Sequence, residues 1–128
     1  MIVVDTSALM AILQREAGFE SCMDVLEAQG DVLISAGTLA EALVVAGRRG
    51  VESEMAALVE DLGFAVAPLT ASGSRRVASA YTRWGKGVHP AALNFGDCFA
   101  YALAEERACA LLFVGDDFNR TDIAAART

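Results

Sequence analysis

Four short apolar runs punctuate the chain: Ile2-Val3-Val4, Val32-Leu33-Ile34, Phe64-Ala65-Val66-Ala67 and Leu111-Leu112-Phe113-Val114. None alternates with polar residues, the pattern of strands buried on both faces of a parallel sheet. Between them the apolar spacing lengthens to that of helices. Phe19, Cys22, Met23 and Leu26 fall at i, i+3, i+4 and i+7, as do Met55, Leu58, Val59 and Leu62, and again Val77, Ala80, Tyr81 and Trp84. Phe95, Phe99, Ala102 and Leu103 form a fourth stripe, and Leu39, Leu43 and Ala46 a shorter one. Every stripe is expected to face the core. Strands alternating with helices imply an α/β domain with right-handed crossovers and helices on both sheet faces. The longest irregular stretch, residues 85–94, holds two glycines and a proline and reads as an exposed connection.

At 128 residues the chain is expected to form one domain, residues 1–128, with a real core. No apolar run approaches the ~20 residues that cross a bilayer, so no membrane association is expected. Met1 to Asp5 lacks the basic start of a signal peptide. Cys22, Cys98 and Cys109 are odd in number, lie in apolar stretches and form no CxxC pair. They read as reduced core residues of a cytoplasmic protein. The single histidine, His89, leaves neither a thiol–imidazole catalyst nor an imidazole pair. It reads as a loop residue.

Chemistry enters through the acidic residues at strand–helix junctions. Asp5 follows the first strand, and Glu41 is expected in the first turn of the helix after the second. Asp97 falls in the first turn of the Phe95 helix, and Asp116 and Asp117 follow the last strand. Each has a structural reading. Thr38 to Glu41 has capping-box spacing, Asn94 can cap the Asp97 helix, Asp5-Thr6-Ser7 can cap the first helix, and Gly115-Asp116-Asp117 is good turn chemistry. As a set they are harder to dismiss, because the carboxyl ends of parallel strands share one edge. Carboxylates brought together there repel and call for a cation. An all-oxygen donor set without His or Cys points to Mg²⁺ or Mn²⁺, and such ions serve phosphodiester hydrolysis.

These motifs resemble those of the PIN-domain nucleases. Ile2 to Leu9 is similar to their opening, Leu39-Ala40-Glu41 to their second motif, and Leu111 to Phe118 to their fourth. Asn94-Phe95-Gly96-Asp97-Cys98-Phe99-Ala100-Tyr101-Ala102-Leu103-Ala104 closely resembles the third, in the form found in VapC-type toxins of type II toxin–antitoxin systems. The Gly85 to Pro90 loop and Thr121-Asp122-Ile123 also fit. Val114 departs from the family, standing where many relatives carry Thr, and the acids Asp116-Asp117 are adjacent.

The resemblance implies a three-layer α/β/α sandwich around a parallel sheet of four or five strands. It implies a metal-dependent endoribonuclease cutting structured RNA, such as tRNA or rRNA. One or two Mg²⁺ or Mn²⁺ ions would be held by Asp5, Asp97 and Asp116, with Asp117 the second choice. Glu41 would assist as a fourth catalytic acid, and Thr6, Ser7 and Asn94 would support them. It further implies a homodimer and a cognate VapB-type antitoxin laid across the acidic pocket. A net charge of −7 suits a basic partner segment better than RNA. RNA binding would therefore need local help, with Arg83 and Lys86 the chosen candidates beside Arg48-Arg49 and Arg75-Arg76.

Two other readings compete. One is a PIN fold that only binds a partner, against which stands the full set of acids. The other is an acid-cluster phosphatase. A haloacid-dehalogenase-like enzyme wants a second Asp where Ser7 stands, and a late lysine where the chain offers only Lys86 in a loop.

Overall fold

The computed structural model describes residues 1–127. Four strands, β1 (Ile2–Val4), β2 (Val32–Ser35), β3 (Ala65–Ala67) and β4 (Ala110–Leu112), form one sheet in the order β3-β2-β1-β4 with every pair parallel. A single bridge between Leu111 and Ala125 lays the chain's tail along the outer edge of β4, the rudiment of a fifth strand. Six helices complete the domain: α1 (Thr6–Gln14), α2 (Phe19–Ala28), α3 (Ala36–Arg48), α4 (Glu52–Asp61), α5 (Ala71–Trp84) and α6 (Phe95–Arg107). Among the described residues no helix is long and apolar enough to cross a membrane.

Side-chain alternation along the strands divides the core in two. Ile2, Val4, Ile34 and Leu112 face a cluster built from α1 to α4, including Leu9, Val25, Ala42 and Met55. Val3, Ala67 and Leu111 face a second cluster built from α5 and α6, including Val77, Trp84, Tyr101 and Leu103. The result is a three-layer α/β/α sandwich, as the alternation of periods implied.

Several expectations change, Tyr81 of the α5 stripe being 38% exposed. The 64–67 run is not buried on both faces, because β3 is the edge strand and leaves Ala65 and Val66 exposed. Phe95 leaves its stripe as well. It is 64% exposed at the first position of α6, ahead of the helical positions that meet the sheet.

The 85–94 connection is tied rather than loose. Lys86 N–H donates to the Leu93 carbonyl, Leu93 N–H donates to that of Trp84, and Ala91 and Leu93 are fully buried. His89 accepts a hydrogen bond from Ala91 N–H through Nδ1 and meets the Trp84 ring edge-on. Trp84 Nε1 donates to the Tyr101 hydroxyl, which donates to the exposed Asp122, so a polar chain that starts in the core pins the tail to α5 and α6.

Candidate active site

The strand order switches at β1: β2 and β3 lie on one side of it and β4 on the other. Ligands in open parallel sheets bind outside the carboxyl ends of strands at such a switch. Asp5 leaves β1 at that point and caps α1, its Oδ2 accepting from Ser7 N–H (3.0 Å) and from the Ser7 hydroxyl (2.6 Å). Asp5 is only 2% exposed, and its Oδ1 has no hydrogen-bond partner among the described residues. A buried carboxylate with an idle oxygen is costly unless protonated or joined by a cation. Burial lifts its pKa to about 7; the Ser7 hydrogen bonds oppose that shift, and the charges of Asp97 and Glu41 add to it.

Glu41 comes from α3. That helix begins earlier than the capping-box reading supposed, with Ser35 as the cap accepting from Gly37 N–H at 3.2 Å. Thr38 is therefore an interior, fully buried residue, and Glu41 stands in the second turn, free of capping. Its Oε1 accepts from the Thr6 hydroxyl at 2.6 Å. Its Oε2 lies against Gly96, where a Cβ would fall 1.7 Å away. One turn back in α3, Gly37 leaves room for the Phe99 ring, which a Cβ would meet at 2.3 Å. These two glycines let the N-terminal halves of α3 and α6 close over the sheet edge.

Asp97 arrives through the capping box of α6. Its N–H donates to Asn94 Oδ1 (2.8 Å), and its own Oδ2 accepts from Asn94 N–H (3.0 Å). The cap reading and the site reading both apply: the box fixes the carboxyl group and leaves Oδ1 without an acceptor role among the described residues. Burial raises this pKa to about 6; the Asn94 N–H lowers it, and the charges of Glu41 and Asp117 raise it further.

Asp5, Thr6, Ser7, Glu41, Asp97 and Val114 thus line one cavity of about 340 Å³. Asp116 and Asp117 lie outside its wall in the exposed turn after β4, and of the two it is Asp117 whose charge acts on Asp97. Val114, at the position where many PIN nucleases carry Thr, contributes its backbone: the N–H donates to Ser7 Oγ at 3.0 Å. Ser7 therefore bridges Asp5 to the β4 loop.

The basic candidates are dispersed. Arg83 pairs with Asp122 at 3.5 Å and covers the Trp84 ring, Arg76 pairs with Glu105, and neither Arg83 nor Lys86 lines the cavity. Arg49 does, with Glu16 beside it. Sequence reasoning passed over Gly96, Glu16 and the Val114 N–H. Only the first had a visible signal, as the residue before Asp97 in the third motif.

No three His, Cys, Asp or Glu side chains among the described residues close into a ready-made metal cage. The donors nonetheless fit a hard divalent ion. They are all oxygen, the charge of Glu41 raises the pKa of both Asp5 and Asp97, and Asp5 Oδ1 is buried without a partner among the described residues. Mg²⁺ keeps several waters and needs only one or two direct carboxylates.

A family model described as PIN domain matches residues 2–124. The chain is 38% identical over 131 residues to ribonuclease VapC42 of Mycobacterium tuberculosis, spanning 99% of this chain and 100% of the relative. It is 39% identical over 130 residues to ribonuclease VapC28 of the same species, spanning 98% and 97%. Among solved structures it superposes on Mycobacterium tuberculosis VapC20, described as a Sarcin-Ricin loop cleaving toxin, with a TM-score of 0.81 at 19% identity and full coverage of both chains. It superposes on the VapBC2 structure from Rickettsia felis, bound to a promoter DNA fragment, with a TM-score of 0.72 at 17% identity, covering 98% and 96%.

Proposed function

The chain belongs to the PIN-domain family, among its VapC ribonucleases, and from that premise we propose a metal-dependent endoribonuclease toxin held in check by a cognate VapB-type antitoxin. The observation that carries this reading is the Asp5 carboxyl group, buried with one oxygen unpartnered in a cavity it shares with Glu41 and Asp97. Neither capping nor core packing explains that idle oxygen; a cation would.

In this reading Asp5 and Asp97 hold Mg²⁺ or Mn²⁺ together with a carboxylate from the β4 loop. Asp116 or its neighbour Asp117 takes that place, and the charge of Asp117 acts on Asp97. When bound, the ion supplies an activated water and charge neutralisation at the scissile phosphate, which leaves 5′-phosphate and 3′-hydroxyl ends. The protein's own part is positioning. Ser7 fixes Asp5 with two hydrogen bonds and is itself fixed by the Val114 N–H. Thr6 presents Glu41, which orients the attacking water, and Asn94 presents Asp97. The substrate is structured RNA, tRNA or rRNA, cut at an exposed loop by a cytoplasmic homodimer. The acidic cavity of the antitoxin-free protein is where a basic antitoxin side chain docks.

The test is cleavage of total tRNA and rRNA by antitoxin-free protein with Mg²⁺, Mn²⁺ or EDTA, beside Asp5→Asn and Asp97→Asn. Discrete fragments with 5′-phosphates, lost in EDTA and in both variants, are expected. A folded, metal-binding protein that cuts none of these RNAs overturns the proposal in favour of a silent partner-binding protein.

A further inference from the structure

The catalytic cavity does not end at its acids. It continues as a trough between two helices, each presenting one face to it. Helix α3 contributes Glu41 and Val45, and Arg49, at the next four-residue step, is its C-cap. Helix α1 contributes Ser7, Met10 and Ala11. Eight residues of helix separate Glu41 from Arg49, about 12 Å along the axis. One end is thus carboxylate, the floor apolar, and the far end carries the only cationic side chain among the described residues that line the cavity.

From this arrangement we infer that Arg49 is the phosphate-binding residue of the cleft, gripping the RNA backbone beyond the scissile phosphate while Met10, Ala11 and Val45 floor the intervening subsite. The inference rests on the ribonuclease reading and deepens it. Three physical points carry it. A phosphodiester entering a cavity lined by Asp5, Glu41 and Asp97, with Glu16 at its far end, finds Arg49 as the one cationic side chain among the described lining residues, in a protein whose net charge is already −7. A guanidinium presents its donors as a planar fork that matches phosphate oxygens in pairs. Finally, Arg49 is held but cheaply released. It donates to Gln14 Oε1 at the end of α1 and lies 4.0 Å from Glu16, with both partners of that ion pair about half exposed. Exposed pairs of this kind contribute little, so a phosphate can replace Glu16 as the partner. Arg83 lies between Asp122 and the Trp84 ring and does not line the cavity.

Two measurements test this on the antitoxin-free protein. The first is binding of a fluorescein-labelled single-stranded RNA in EDTA, across a salt series. Arg49→Ala is expected to weaken binding about tenfold and to flatten the slope of log affinity against log salt by about 0.7, one phosphate contact on a single strand. Arg49→Lys keeps the slope but recovers only part of the affinity, and Glu16→Gln tightens binding. The second is Mg²⁺-dependent cleavage of total tRNA, where Arg49→Ala raises KM about tenfold and leaves kcat within twofold. An Arg49→Ala protein with a lowered melting temperature and unchanged affinity and salt slope overturns the inference, and assigns Arg49 to strapping α1 to α3. The same holds if only antitoxin binding suffers. RNA that binds with the expected slope change but is never cut supports the inference and overturns the nuclease reading instead.

Discussion

Replacing Asp5 with Asn should change how the metal-free protein responds to pH more than it changes the fold. Burial places the native Asp5 pKa near 7, against 3.8 for an ordinary carboxyl group. The native state therefore keeps this proton over a range in which the unfolded chain has already lost it. Stability falls as pH rises from about 4 towards 7, and levels off above. Each pH unit inside that window costs about 1.4 kcal/mol. Between pH 5 and pH 8 roughly two such units are crossed, so Asp5 alone removes about 2 to 3 kcal/mol. That is a large share of the stability of a domain this size. Asn keeps the shape and the helix cap, because its side-chain oxygen can still accept from Ser7 N–H, where Asp5 Oδ2 now does. It has no charge to bury. The assay is urea unfolding in EDTA at pH 5 and pH 8, followed by fluorescence of the single, buried Trp84. Wild type should lose about 2 to 3 kcal/mol more than Asp5→Asn over that interval. Adding Mg²⁺ at pH 8 should restore wild type more than the variant, which keeps Asp97 but lacks the buried Asp5 carboxylate. Parallel pH profiles for the two proteins in EDTA would refute the assignment of a strained, metal-seeking carboxylate at this position.

Gly96→Ala should separate activity from stability: its Cβ would fall 1.7 Å from Glu41 Oε2, the end of a flexible side chain that can swing away. Cleavage is expected to drop about 100-fold, in keeping with the cost of an ångström's misplacement in a catalytic group, while thermal unfolding shifts little; equal losses in both would contradict the argument. Tyr101→Phe should do the reverse, costing about 1 to 3 kcal/mol by leaving the buried Trp84 Nε1 without its acceptor, measured by urea unfolding, with the metal-dependent cleavage rate of the folded variant unchanged.

How much of this was legible in the chain alone depends on the range over which each feature is decided. Helix and strand identity followed from apolar periodicity, because a residue's neighbours along the chain set which face it presents. The same logic placed Asp5 and Asp97 at helix starts, where Asp and Asn also satisfy free backbone N–H groups. Glu41 was misplaced by a turn, since Ser35 and Thr38 are both plausible caps and only the end of β2 chooses between them. Phe95 and β3 carry the spacing of buried segments, yet Phe95, Ala65 and Val66 are exposed, because periodicity cannot tell an edge strand or a first helical turn from an interior one.

The sequence by itself determined the α/β class, the order of the elements and the acids at the strand ends, all written in local spacing and residue chemistry. Only the tertiary structure decided which oxygen of Asp5 is left idle, that Gly96 makes room for Glu41, and that Val114 matters through its N–H rather than its side chain. It likewise put Arg49, and no other arginine among the described residues, in the cavity wall. Those outcomes depend on contacts between segments far apart in the chain, Ser7 with Val114 and Thr6 with Glu41 among them. No local pattern encodes them, because the partner's position is fixed only when the sheet brings four separate strand ends to one edge.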